Sequence, residues 1–130
     1  MTEQKYKMLI VDDDRFLTDM YSHKFEKSGF NVVVADNSEK ALSVLKEDPK
    51  PDLLLLDVIL PGMTGIELLK KIREEKLVTD AIVIMLSNQG SKEDINEVKD
   101  LDIDCYIIKA TTIPSEVVEK VQKVIDTHKK

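Results

Sequence analysis

Five short apolar runs constrain this chain more than any other feature: Met8–Val11, Val32–Ala35, Leu53–Leu56, Ala81–Leu86 and Cys105–Ile108. Three of them are nearly continuous in Val, Ile and Leu rather than alternating, the pattern of strands covered by helices on both faces of a parallel sheet. Parallel neighbours need crossovers, and the intervening segments read as helices. The first runs from about Arg15 to Ser28, with Phe16, Leu17, Met20, Tyr21, Lys24 and Phe25 at helical spacing and Gly29 placed to end it. A second follows Asn37 or Ser38, either able to cap it, with Ala41, Leu42 and Leu45 inward. The third covers roughly Ile66 to Glu75, after the breaker group from Pro61 to Gly65. A fourth starts at the capping-box-like Ser91-Lys92-Glu93-Asp94 and continues through Ile95, Val98 and Leu101. The last begins near Pro114 and repeats Val117, Val118, Val121, Val124 and Ile125.

Strand and helix thus alternate five times, which predicts a doubly wound α/β sheet with five helices. At 130 residues the chain is the size of one compact domain, expected over 1–130 with an ordered core from about 6 to 127. Charge and cysteine usage narrow the function classes. The net charge of -6 offers no cationic face for nucleic acid or an anionic membrane, so proteins are the expected partners. Cys105 is the single cysteine and lies in an apolar run, so a buried thiol and a reducing, cytoplasmic setting are expected. The segment Met1–Lys7 lacks an apolar signal region, and no stretch approaches the roughly 18 apolar residues of a membrane span.

In sheets of this class ligands bind beyond the carboxyl ends of the strands. The residues there are Asp12, Asp13 and Asp14 after the first strand, Asp57 after the third, Ser87 and Asn88 after the fourth, and Lys109 after the fifth. Acids crowded together repel, and a hard cation such as Mg²⁺, which takes one or two carboxylates and keeps open positions, relieves that conflict. Asp57 is then placed as a covalent phosphoryl acceptor, Ser87 as a hydroxyl donor and Lys109 as a point charge for phosphoryl oxygens. Each residue alone has a plainer reading: acids at a helix start, a loop acid, a turn serine. Convergence of the whole set favours a site. Tyr106 also reads as an ordinary strand aromatic, and His23 and His128 as surface residues without metal-ligand spacing.

At these positions the chain resembles the receiver domain of bacterial response regulators, over essentially its whole length. The matching pieces are Leu9-Ile10-Val11-Asp12-Asp13-Asp14, Leu55 to Gly65 through Asp57 and Pro61-Gly62-Met63-Thr64-Gly65, Ser87, and Tyr106-Ile107-Ile108-Lys109. The resemblance implies a flavodoxin-like, CheY-like fold with strand order 2-1-3-4-5. It implies that Asp57 accepts a phosphoryl group from a sensor histidine kinase or phosphotransfer protein. Asp12, Asp13, Asp57 and the backbone carbonyl of Ile59 would hold Mg²⁺ or Mn²⁺, and Ser87 and Lys109 would bind phosphoryl oxygens. Tyr106 would be an aromatic switch, and Ile95, Val98, Lys99, Tyr106 and Val117 a face for a downstream protein target. The chain departs from the family pattern at Asn88, where a small residue is usual, and at Ala110, where proline, often cis, is usual. A cis bond before Ala110 would cost about 2.5–4 kcal/mol; a trans bond would place the loop from Lys109 to Thr112 differently from the family average.

The expected function is a stand-alone phosphorylation-dependent signalling switch, a monomer or weak phosphorylation-dependent dimer that catalyses only its own phosphotransfer and dephosphorylation. Alternatives are a phosphorylation-independent interaction module and, with little support in the spacing, a phosphohydrolase. Ile59 and Gln89, with Asn88 and Ala110, are the expected modulators of phosphoryl lifetime, and apolar Ile59 favours slow self-dephosphorylation.

Overall fold

The computed structural model describes residues 6–47, 50–60, 62–78, 80–87, 101, 103–108 and 113–128. Its strands are β1 (Lys7–Val11), β2 (Asn31–Ala35), β3 (Leu53–Asp57), β4 (Ile82–Ser87) and β5 (Cys105–Ile108). All neighbours are parallel, in the order β2-β1-β3-β4-β5. The expected sheet is therefore present, with Asp57 and Ser87 as the last residues of their strands rather than the first residues after them. Four helices lie within the described residues: α1 (Arg15–Lys27), α2 (Ser38–Leu45), α3 (Gly65–Glu75) and α4 (Pro114–His128), the last being the fifth expected from the sequence. The helix expected from Ser91, with Ile95, Val98 and Lys99, lies outside the described residues.

The sheet separates two apolar layers. Leu9, Val11, Leu54, Leu56, Val83 and Met85 face Ala41 and Leu45 of α2 and Ile66, Leu69 and Ile72 of α3. The alternate residues Met8, Ile10, Leu53, Leu55, Ile84 and Leu86 face Tyr21 and Phe25 of α1 and Val117, Val121 and Ile125 of α4. Every residue of β3 and β4 is buried, which is why those runs lack alternation: both faces are covered. Strand β2 is an edge and partly exposed.

Two side chains differ from their expected places, Phe16 from the apolar spacing of α1 and Val117 from the partner face. Phe16 is 73% exposed, because nine residues, about two and a half turns, separate it from buried Phe25 and put it on the opposite side of α1. Val117 is fully buried, since Val117, Val121 and Ile125 at four-residue spacing form the stripe of α4 that meets the sheet. It supplies no exposed surface to a partner face in this structure. Gly29 has φ +96°, the left-handed conformation expected where α1 ends.

Candidate functional site

The three consecutive acids after β1 have three different environments. The Asp12 N–H donates to the Ala35 carbonyl at 3.1 Å, carrying the β1–β2 edge one residue further, and its side chain is buried at 1% exposure. Asp12 Oδ1 accepts from the Asp14 N–H at 2.9 Å. Asp14 is the N-cap of α1, its Oδ1 accepting from the Leu17 N–H at 3.2 Å. Asp13, between them, is exposed. The plain reading of helix-start acids therefore holds for Asp14 and not for Asp12, whose carboxylate is turned into the crevice.

Asp57 ends β3 beside Leu86 of β4, and the next N–H, that of Val58, donates to the Leu86 carbonyl at 2.8 Å. Ser87 ends β4 opposite Ile108. Both side chains are buried. One carboxylate oxygen from each of Asp12, Asp13 and Asp57 lies within 4.8 Å of the others. At that separation the bare repulsion between buried Asp12 and Asp57 is roughly 3 kcal/mol for an effective dielectric near 20. Three hard oxygen donors converging, with one of them solvent-facing, suit a divalent cation that keeps open coordination positions. A cleft of about 320 Å³ lined by Asp12, Asp13, Arg15, Asp19, Asp36 and Lys40, among others, opens beside Asp12 and Asp13.

The turn from Asp57 into α3 is closely fitted. A Cβ on Gly65 would lie 1.9 Å from the Asp57 carbonyl oxygen, so only glycine admits this approach of the helix to the Asp57 backbone. The Gly65 N–H donates to the Val58 carbonyl at 2.8 Å. Thr64 caps α3 in a reciprocal box with Glu67: Glu67 N–H to Thr64 Oγ1 at 3.1 Å and Thr64 N–H to Glu67 Oε1 at 2.9 Å. From the sequence, Pro61 to Gly65 reads as a breaker group and as part of the receiver-like stretch, without a cap. The Thr-x-x-Glu spacing carried the cap signal, whereas the Gly65 contact has no signature in spacing.

The Ile59 side chain is 64% exposed two positions after Asp57, and its N–H reaches Asp57 Oδ1 at 3.4 Å. Tyr106 packs against the α2 and α3 layer of the core, with its hydroxyl buried and without a hydrogen-bond partner among the described residues. Cys105 is half-buried, and burial pushes its thiol pKa up against the lowering influence of Lys120. His23 is exposed. Asn88, Gln89, Lys109 and Ala110, together with Ile95, Val98 and Lys99, lie outside the described residues. Among the described residues no helix is long and apolar enough to cross a membrane.

A parallel 2-1-3-4-5 sheet with acids from β1 and β3 gathered at its carboxyl edge defines a receiver-type signalling domain. Residues 8–122 match the response regulator receiver domain family, and the chain belongs to that family. It is 37% identical over 120 residues to the phosphate regulon transcriptional regulatory protein PhoB of Pseudomonas aeruginosa, covering 91% of this chain and 51% of that protein. It is 44% identical over 103 residues to the transcriptional regulatory protein CpxR of Escherichia coli, covering 79% of this chain and 42% of that one. The chain thus spans about half the length of the curated relatives it matches. Among solved structures, a CheY-like response regulator receiver domain protein from Methanospirillum hungatei matches with TM-score 0.86 and 29% identity, over 97% of this chain and 98% of that one. Chemotaxis protein CheY4 of Vibrio cholerae matches with TM-score 0.84 and 27% identity, over 93% and 99%.

Proposed function

We propose that this receiver domain is a phosphorylation-dependent signalling switch whose acceptor is Asp57. The observation that carries the reading is the convergence of the Asp12, Asp13 and Asp57 carboxylates within 4.8 Å. The donor set fits Mg²⁺, or Mn²⁺ in its place, held by Asp12, Asp13, Asp57 and the Ile59 backbone carbonyl. When bound, the ion supplies positive charge that offsets the clustered acids and the incoming phosphoryl oxygens.

The protein's own groups then divide the work. A carboxylate oxygen of Asp57 forms a bond to phosphorus as the bond between phosphorus and the donor's nitrogen or oxygen breaks, and the leaving group keeps that electron pair. The product is an aspartyl phosphate. Ser87 donates its hydroxyl to a phosphoryl oxygen, and Lys109 pairs with another. The physiological donor is a phosphohistidine on a sensor kinase or phosphotransfer protein. Phosphorylation shifts the domain between two conformations in which Tyr106 and the surface carrying Ile95, Val98 and Lys99 differ, changing affinity for a protein target in the cytoplasm. Exposed Ile59, with Asn88, Gln89 and Ala110, sets the lifetime of the phosphoryl group, which is long. The same switch serves whether the unit acts alone, as the sequence reading expects, or as the receiver of a longer regulator like the relatives above.

Intact-mass spectrometry after treatment with acetyl phosphate tests this. A single phosphate adduct that requires both Mg²⁺ and Asp57, and is lost in Asp57→Asn, is the expected result. An adduct that survives in Asp57→Asn would remove Asp57 from its role, and no adduct under any donor would favour the phosphorylation-independent module.

A further inference from the structure

The loop that leaves Asp57 is held in part by a residue of another element, outside the acid cluster. Ser38, the first residue of α2, is 3% exposed, and its hydroxyl donates to the Met63 carbonyl at 2.9 Å, across 25 positions of sequence. A serine in the first turn of a helix commonly spends its hydroxyl on its own backbone. Here that is unnecessary, because Asn37 already caps α2, its Oδ1 accepting from the Lys40 N–H at 2.9 Å. The Ser38 hydroxyl is thereby available to the loop.

The loop is fixed at both ends. Val58 is bonded to Leu86 and to Gly65, each at 2.8 Å, and Thr64 is fixed by the box with Glu67. Between these points, among the described residues, the Ser38–Met63 bond is the hydrogen bond that joins the loop to another element. A cleft of about 560 Å³ lined by Asn37, Ser38, Glu39, Leu42, Gly62 and Met63 lies alongside. Leu60 is buried in the core and Met63 packs against it, so the hydrogen bond adds a fixed direction to a segment whose apolar side chains are already held.

We infer that Ser38 is a positioning residue for the acceptor: by holding Met63 it fixes the place of Gly62 and Met63, and through the loop the Ile59 backbone and the Asp57 carboxylate. This rests on the reading of Asp57 as acceptor. Ser38 touches no reacting atom and acts only through the loop. Loss of one neutral hydrogen bond shifts such an equilibrium roughly 3- to 10-fold.

The test compares the full chain with Ser38→Ala and Ser38→Thr, the latter keeping a hydroxyl. Without any phosphodonor, Mg²⁺ is titrated while the amide signals of residues 57–65 are followed, and amide hydrogen exchange is measured over the same residues. Ser38→Ala is expected to raise the half-saturating Mg²⁺ concentration 3- to 10-fold and to accelerate exchange at Ile59, Leu60, Gly62 and Met63, and Ser38→Thr to return both towards the original values. Wild-type Mg²⁺ midpoint and exchange in Ser38→Ala overturn the inference, whatever Ser38→Thr does. A melting temperature lowered in Ser38→Ala with the Mg²⁺ midpoint unchanged also overturns it, reducing Ser38 to a structural role. If the unmodified chain binds Mg²⁺ but forms no adduct, the acceptor reading fails and the Ser38 comparison is still decided by the titration.

Discussion

The two edges of the sheet use the same side chain in opposite ways. At the amino edge, Asp52 Oδ2 accepts from the Lys7 N–H at 2.9 Å, and Asp104 Oδ2 accepts from the Val83 N–H at 2.9 Å. Each of these acids, one residue before its own strand, holds an N–H at the start of a neighbouring strand. At the carboxyl edge, Asp12 and Asp57 are buried and brought together with Asp13. Asp12 and Asp57 also accept N–H groups, from residues two positions on in their own segments; the difference teaches that an acid at a strand end ties strands together when its donor lies on a neighbouring strand, and is left to gather with other acids when its donor is local.

Exchanging charge for amide at the two edges breaks this comparison most sharply. Asp57→Asn is expected to abolish the Mg²⁺-dependent phosphate adduct by intact mass, while Asp52→Asn leaves its yield and rate unchanged. Gly65→Ala comes next: the added methyl displaces the Asp57 peptide, lowering stability by about 1–3 kcal/mol in urea melts and weakening Mg²⁺ binding together with it. Asp52→Ala and Asp104→Ala each remove an acceptor from a strand N–H and should cost about 1 kcal/mol with the Mg²⁺ midpoint unmoved. Asp12→Asn keeps the acceptor for Asp14 but removes one charge from the cluster. It is expected to raise metal-free stability by about 1 kcal/mol while reducing the stabilisation that Mg²⁺ confers. A smaller effect is expected at Tyr106→Phe: deleting a buried hydroxyl without a partner among the described residues leaves thermal stability equal or slightly raised, read by calorimetry.

The acids were legible before the fold was known because strand ends can be read from apolar runs, and residues at the ends of parallel strands converge regardless of sequence distance. Asp12, Asp13 and Asp57 follow from that logic. Periodicity fails where it counts turns without fixing a direction: Phe16 and Phe25 both belong to the helical spacing of α1, yet Phe16 lies across the helix from Phe25. Val117 was assigned both to the inward row and to a surface, and its burial leaves only the first. Contacts made by backbone atoms were invisible. The approach of Gly65 to the Asp57 carbonyl and the Ser38 bond to Met63 depend on where two elements meet, and nothing in composition or spacing encodes that meeting.

The run Leu53-Leu54-Leu55-Leu56 has a further consequence. Four identical residues fill both layers of the core equally well, so a slip of β3 by one position would leave the leucines content on either side. What forbids the slip are the carboxylates at its two ends. Moved one step one way, Asp57 would take the place of Leu56, and moved the other way, Asp52 would take that of Leu53, both sites with no solvent exposure. Desolvating an unpaired carboxylate there costs several kcal/mol. Asp57 and Asp52 act as bookends for a run of four leucines that carry no positional information of their own.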